Sequence, residues 1–263
     1  MTETADAPTD ASGTGDGIAA ASDALRVERR KIVDEREAFA AFRDRLERIA
    51  AEAVPARGPP LRSRVDPAGR GLRAVKAAYE ETVMSVPHFA ADYDETYEAS
   101  VEAEFGADLA LILTGQSAFD DRSRRTLIDR TETAIEERSV FLDTLDAEAE
   151  SLEHGASVVA ALREAVADLT DGRHADRDFG ALDARRAQVP VLRRKCDALA
   201  ARRQADLREQ RRRMRLPSSF PNVPAYLYAG LDDRYPVLAA VGELGSRLDE
   251  ARRDLERALA RSD

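Results

Sequence analysis

The segment Tyr79–Tyr97 holds the densest group of side chains that could perform acid–base chemistry. It reads YEETVMSVPHFAADYDETY and contains three of the chain's six tyrosines and one of its three histidines. A histidine beside tyrosines and carboxylates, here His88 near Asp92 and Glu95, is a combination that suits a general acid or base. Spacings of three and four residues also place every aromatic side chain of the segment on a helical stripe. We therefore prefer core packing over catalysis as the interpretation, and we assign no catalytic residue.

A second segment, Tyr226–Tyr235, holds the other three tyrosines. We predict that the two tyrosine-rich segments meet at one end of a helical bundle. A pocket between them would suit a small-molecule sensor or an enzyme. The candidate pocket residues are His88, Tyr93, Tyr228 and Tyr235.

The segment from Arg185 to Arg215 is strongly basic. It contains eleven arginines and one lysine against three acidic residues, a balance of +9, which leaves −19 for the rest of a chain whose formal net charge is −10. Such a helix could follow nucleic-acid phosphates. The candidate phosphate contacts are Arg202, Arg203, Arg208, Arg211, Arg212, Arg213 and Arg215. Because no aromatic residue is interleaved for base stacking and the whole chain is acidic, we prefer a basic helix that lies against acidic helices of the same protein.

Motifs for metals and cofactors are absent from the sequence. No Glu-x-x-His unit is present, as carboxylate-bridged metal sites in helical bundles require. The glycines between Gly13 and Gly17 lack the lysine of a phosphate-binding loop. The single cysteine, Cys196, cannot form an internal disulfide and falls on an apolar helical stripe, where we expect it to be buried. We predict no metal site and no cofactor.

Composition indicates the compartment. Charged residues make up 34% of the chain, yet lysine occurs only at positions 31, 76 and 195. Acidic, lysine-poor surfaces are typical of proteins in concentrated salt, where self-repulsion is screened within a few ångströms. The amino-terminal residues lack the features of a signal peptide, and the longest apolar runs fall far short of a membrane span. We expect a soluble, cytoplasmic protein with no membrane partner.

Apolar periodicity predicts an all-α protein. Leu25, Ile32, Phe39 and Leu46 recur every seven residues, which predicts one long helix over 22–54 with Lys31 and Glu35 paired on an exposed face. Residues 1–21 are small and acidic, and we predict a disordered tail. Strand-like alternation is absent from the sequence. We predict an elongated helical bundle with long coiled-coil-like helices, forming a single domain over 22–263.

The remaining helices are predicted from the same periodicity and from proline and glycine stops. The predicted helices cover 72–86, 89–112, about 120–153, 159–169, 179–215 with a kink or division at Pro190, and 241–259. Gly115 bounds the predicted helix over 89–112, and His154 and Gly155 bound the predicted helix over about 120–153.

Four stretches carry a family resemblance. They are LRVERRKIVDEREAFAAFRDRL in the first helix, YEETVMSVPHF followed by DYDETY, KCDALAARRQ, and YLYAGLDDRYPVL. With them the chain resembles an uncharacterised haloarchaeal family of helical proteins, a domain of unknown function. The likeness covers nearly all of the chain after the tail. It implies a salt-rich cytoplasm and supplies no activity, ligand or catalytic residue.

Long heptad helices commonly pair, so the leading functional hypothesis is a non-catalytic interaction or scaffolding protein. Its partner would be another protein, or a second copy bound through the first helix. The alternatives are an accessory factor that touches nucleic acid through the basic helix 185–215, and a sensor or enzyme with the tyrosine-rich pocket.

Overall fold

A computed structural model describes residues 13–51, 69–115, 119–171, 178–213 and 223–262. The backbone in these ranges is helical and contains no strand, which confirms the predicted all-α class. The helices are α1 (Gly13–Leu46), α2 (Arg70–Glu80), α3 (Phe89–Asp92), α4 (Tyr97–Phe105), α5 (Ala107–Thr114), α6 (Asp121–Leu169), α7 (Phe179–Arg213), α8 (Val223–Leu227) and α9 (Pro236–Ser262), and a 3-10 turn covers Val83–Ser85. Among these helices, none is long and apolar enough to cross a membrane.

The chain divides into two compact units. The central unit comprises residues 29–143, and the terminal unit comprises residues 1–28 with 144–263. The divisions fall inside α1 and α6, so each of these helices contributes residues to both units. That the two units behave as the single predicted domain stays a prediction.

Aromatic side chains form the core of the central unit. Phe39 and Phe42 of α1 are fully buried and contact the ring of Tyr79, with centroids 6.4 and 5.2 Å apart in edge-to-face geometry. Phe105 of α4 packs on the same rings. The Tyr79 hydroxyl is satisfied by Ser100 at 3.0 Å. Edge-to-face ring pairs add to the stabilisation that burial gives, so the aromatic residues of this unit act mainly as core.

The core of the terminal unit lies between α6, α7 and α9. Apolar side chains of α7 and α9 are buried along the two helices, among them Leu192, Leu199, Leu244, Leu248 and Leu255. Cys196 is buried in the same row, as predicted. Helices α6 and α7 are antiparallel, because Ser151 donates to Asp206 at one end and Arg185 donates to Asp171 at the other.

Helix α1 begins nine residues before the predicted start at Ser22. Ile18 and Ala21 are 4% and 0% exposed and continue the apolar stripe of Leu25 toward the amino terminus. Alanine is the best helix former, so this alanine-rich stretch becomes helical once one face is covered. The predicted boundary of the tail at residue 21 is therefore corrected, and residues 1–12 lie outside the described ranges. At its other end, α1 stops at Leu46, eight residues before the predicted end at residue 54.

The single helix predicted over 89–112 is wrong. The chain forms three short helices there, broken where Asp94 and Gly106 adopt positive φ angles of 45° and 85°. Thr96 starts α4 again by accepting a hydrogen bond from the Ala99 amide. Spacing near four continued across both breaks, so periodicity alone could not show them.

The stop predicted at His154–Gly155 is also wrong, since α6 runs unbroken for 49 residues. Gly155 is a packing position rather than a helix end. A Cβ there would lie 2.8 Å from Cγ2 of Val237, the second residue of α9. Similarly, α7 is continuous through Pro190 and is not divided.

Replacing Gly155 with alanine should destabilise the protein by about 1–3 kcal/mol, because the new methyl group overpacks against Val237. Gly242→Ala in α9 is the matched control. Apart from its chain neighbours and the backbone of its own helix, nothing in the described ranges lies within 4 Å of a Cβ placed at this position, so helix propensity should stabilise by about 0.5–1 kcal/mol. Chemical denaturation measures both changes. Equal stabilisation by the two substitutions would contradict the close contact between α6 and α9.

Candidate functional site

A buried ion pair joins α6 to α7 in the terminal unit. The side chains of Glu148 and Arg203 are 0% and 2% exposed. Arg203 donates to both carboxylate oxygens, with nitrogen–oxygen distances of 2.8 and 2.6 Å. This bidentate geometry is the strongest form of the arginine–carboxylate pair. Burial alone would lower the pKa of Arg203, but its hydrogen bonds to Glu148 and the charge of that carboxylate raise it above its usual value.

Neutral donors complete the coordination of Glu148. The Tyr228 hydroxyl donates to Oε1 at 2.9 Å, and the Gln210 amide donates to Oε2 at 2.7 Å. Ser151 accepts from Arg203 and donates to Asp206. Every lone pair of the buried carboxylate that faces protein therefore meets a donor, which is the condition for burying an ion pair without a large penalty. In the part of the chain that the structure describes, Oε1 of Gln210 is the one atom of this group left without a partner.

The central unit contains a second network of the same kind, built on Glu35 of α1. His88 and the Tyr93 hydroxyl both donate to Oε1 of Glu35, at 3.0 and 2.9 Å. Arg138 of α6 donates to Oε2 at 2.9 Å and also binds Glu104 at 2.7 Å. The guanidinium lies 4.2 Å from the centroid of the Phe39 ring. The predicted exposed pair of Lys31 with Glu35 is wrong, since Glu35 is buried and Lys31 pairs with Asp92 at 2.7 Å.

A histidine and a carboxylate in contact could exchange a proton with a substrate. In this network, however, the His88 nitrogen that faces inward is already bonded to Glu35, and Glu35 also receives a guanidinium. The adjacent cavity, lined partly by Phe39, Val83 and Phe89, has a volume of about 80 Å³. Pockets for drug-sized ligands span roughly 300–1,000 Å³. The geometry therefore supports a structural role for the network.

The four residues of the predicted pocket fall into two groups. His88 and Tyr93 share Glu35 in the central unit, while Tyr228 binds Glu148 in the terminal unit. Tyr235 lies half-buried in the terminal unit, and its carbonyl accepts the Ala239 amide in the first turn of α9. A single pocket formed by all four residues stays a prediction.

The arginines of α7 are divided between inside and outside. Three bind groups of the terminal unit: Arg203 binds Glu148, Arg185 binds Asp171, and Arg193 binds the Gly245 carbonyl and Asp249. Five other arginines and Lys195 form an exposed surface, which we call the basic face of α7. It consists of Arg194, Lys195, Arg202, Arg208, Arg212 and Arg213. Of the residues predicted to contact nucleic acid, Arg203 is buried, Arg211 is half-buried and Arg215 lies outside the described ranges.

Few charges on the basic face are neutralised nearby. Arg212 and Arg213 share Glu209. Arg194, Lys195 and Arg202 make no ion pair or hydrogen bond with the residues that the structure describes. The side chains between the cations are small, namely Ala198, Ala201 and Ala205. The face is therefore open to an anionic surface that can approach closely.

No group of three or more His, Cys, Asp and Glu side chains within the described ranges could hold a metal ion. Of the residues that build the two networks, His88, Tyr93, Tyr228 and Arg203 were candidates from the sequence, whereas Glu35 was assigned to an exposed face and Arg138 and Gln210 were not considered. A signal was present, since polar residues interrupt apolar stripes at these places. Glu35 lies seven residues before Phe42, Glu148 lies between Leu145 and Leu152, and Arg203 follows Cys196 and Leu199.

Fold and site together define an all-helical protein. Its buried charged side chains pair with one another, and its basic helix α7 exposes a row of cationic side chains. The model of a family described as a domain of unknown function (DUF7260) matches residues 16–252. The chain belongs to this family. Neither a curated protein nor a solved structure matches the sequence.

The ionisation of Tyr228 should make stability fall at alkaline pH. Burial and, after it, the Glu148 carboxylate raise the pKa of this tyrosine well above its usual value. An unfolded chain releases the proton near pH 10, whereas the folded chain keeps it, so the free energy of unfolding decreases as pH rises above about 10. Tyr228→Phe should make this slope shallower by up to about 1.4 kcal/mol per pH unit.

Denaturant titrations between pH 8 and pH 12 measure the slope. Tyr226→Phe, an exposed tyrosine of α8, controls for the loss of a tyrosine hydroxyl. A Tyr228→Phe slope equal to that of the wild type would show that the hydroxyl is not held in a buried, anionic environment.

Proposed function

We propose that this protein is a non-catalytic interaction module that binds its partner through the basic face of α7. The single observation that carries the proposal is the exposure of six cationic side chains along one helix of a chain with a net charge of −10. Exposed cations of one sign favour association with a surface of the opposite sign and increase its rate. The two buried networks support the non-catalytic part, because their charged groups are occupied by one another.

The heptad stripe of α1, which the sequence suggested as the surface for a partner, is buried within the chain. Leu25, Ile32, Phe39 and Leu46 are 3%, 9%, 0% and 0% exposed within the single chain. Side chains that already form a core are not available for a second helix. We therefore place the proposed contact with a protein partner on α7 rather than on α1.

Composition supports the setting of this function. Forty lysines and arginines against fifty acids, with three lysines in all, fit a protein of a salt-rich cytoplasm. In such a setting, only charges brought into direct contact interact strongly, because the Debye length is about 3 Å at 1 M salt. A partner would have to lie closely against α7, as the small side chains between the cations allow.

A nucleic acid is the second candidate partner, and the same exposed arginines favour it. Arg202, Arg208, Arg212 and Arg213 could each bind a phosphate. Two observations weigh against it. None of the residues between 194 and 213 is aromatic, and Glu209 already binds two of the arginines.

Capture experiments with a charge-reversed variant test the proposal. The bait is immobilised on a support and incubated with a lysate kept at molar KCl. Two baits are compared, the wild type and the triple variant Arg194→Glu, Arg202→Glu and Arg208→Glu. The wild type should retain a protein partner after nuclease treatment, and the variant should retain at least about tenfold less, since like charges would face each other. The matched control reverses three exposed arginines of α9, Arg252, Arg253 and Arg261.

Equal retention by the wild type and the α7 variant would contradict the proposed surface. Loss of all retained material on nuclease treatment would instead favour the nucleic-acid alternative. Circular dichroism of each variant establishes that it remains folded.

A further inference from the structure

The terminal unit also has an exposed acidic surface, on α6. Glu150, Glu153, Glu164 and Asp168 are all exposed, and none of them makes an ion pair or hydrogen bond with a residue in the described ranges. Their consecutive spacings of three, eleven and four residues, with Ser157 and Ala161 between them, place them on one side of the helix. We call this surface the acidic face of α6.

The acidic face of α6 and the basic face of α7 match in length. At about 1.5 Å per residue, Glu150–Asp168 extends about 27 Å, and Arg194–Arg213 extends about 29 Å. Their charges are opposite in sign, with four unpaired acids on the acidic face and six cations on the basic face. Both faces lie in the terminal unit, and each carries small side chains between its charges.

The two faces adjoin at one end. Glu150 of α6 and Arg202 and Arg213 of α7 line the same cavity, which has a volume of about 220 Å³. The terminal unit therefore presents an acidic strip and a basic strip that meet at this end. A surface of this kind is complementary to itself under a two-fold rotation, the operation that relates the subunits of most homodimers.

We propose that the basic face of α7 binds the acidic face of α6 in a second copy of this chain. This inference rests on the proposed function and names the partner. The antiparallel arrangement of α6 and α7 makes the register specific. A two-fold axis along the helices sets Glu150 and Glu153 opposite Arg202 of the other copy, and Glu164 opposite Arg194.

Charge complementarity favours a second copy over a nucleic acid. A phosphate backbone lying on α7 would also meet the neighbouring carboxylate of Glu150, which repels it. A second copy meets both strips with the opposite sign. The contact forms twice in a two-fold dimer, so weak individual ion pairs act together.

A charge-swap experiment tests the proposal on the full-length chain. The basic-face variant carries Arg194→Glu, Arg202→Glu and Arg208→Glu, and the acidic-face variant carries Glu150→Arg, Glu153→Arg and Glu164→Arg. Sedimentation velocity at several protein concentrations and at 0.2 and 2 M KCl gives the mass of each sample. The wild type should form a dimer, and each variant alone should have a dissociation constant at least about tenfold higher, because like charges then face each other.

An equimolar mixture of the two variants should restore the dimer. In that mixture, the reversed α7 of one variant faces the reversed α6 of the other, and the two remaining faces are those of the wild type. General loss of folding cannot produce such rescue, so a positive result is specific to these two faces. The α9 variant with Arg252, Arg253 and Arg261 changed to glutamate should dimerise like the wild type.

A wild type that remains monomeric at all concentrations and both salt levels would overturn this inference. So would a dimer that neither variant weakens, or a mixture of the variants that fails to associate. The proposed function would survive the first of these results if the wild type, and not the basic-face variant, still retains another protein from the lysate.

Discussion

Burial of the Glu148 carboxylate is the constraint on which the terminal unit depends. Removing a charge from water costs several kcal/mol. The cost is offset only if each lone pair of the buried carboxylate accepts a hydrogen bond. Arg203, Gln210 and Tyr228 supply these donors from α7 and from the turn after α8. Their positions fix how α6, α7 and the tyrosine-rich turn pack together. The Glu35 network repeats the same solution in the central unit.

This constraint also bears on function. A catalytic carboxylate or histidine needs a free lone pair or proton that can reach a substrate. In both networks the inward-facing groups are bonded to one another, and the arginines serve as fixed counter-ions. The charges that remain available lie on helix surfaces. The two networks therefore support a structural role for these buried groups and leave the exposed charges for the proposed interaction surface.

The sequence was informative where a pattern extends over many turns. The stripe of α1, the buried Cys196 and the all-α class follow from apolar spacing, because a helix buries one face regardless of its partners. The breaks at Asp94 and Gly106 and the passage of α6 through Gly155 did not follow. Those features depend on single backbone conformations and on the contact with Val237, which lies far away in the sequence. Likewise, an arginine in a basic run looks the same in sequence whether it faces Glu148 or solvent.

The most direct test is the effect of Glu148→Gln on the free energy of unfolding in two backgrounds. In the wild type, the substitution removes the partner of Arg203 and should destabilise by about 3–5 kcal/mol. In an Arg203→Met background, the same substitution removes an unpaired buried charge and should stabilise the protein relative to Arg203→Met alone. Opposite signs in the two backgrounds are the result that this account predicts. Destabilisation of similar size in both would contradict it, because Glu148 and Arg203 would then contribute independently.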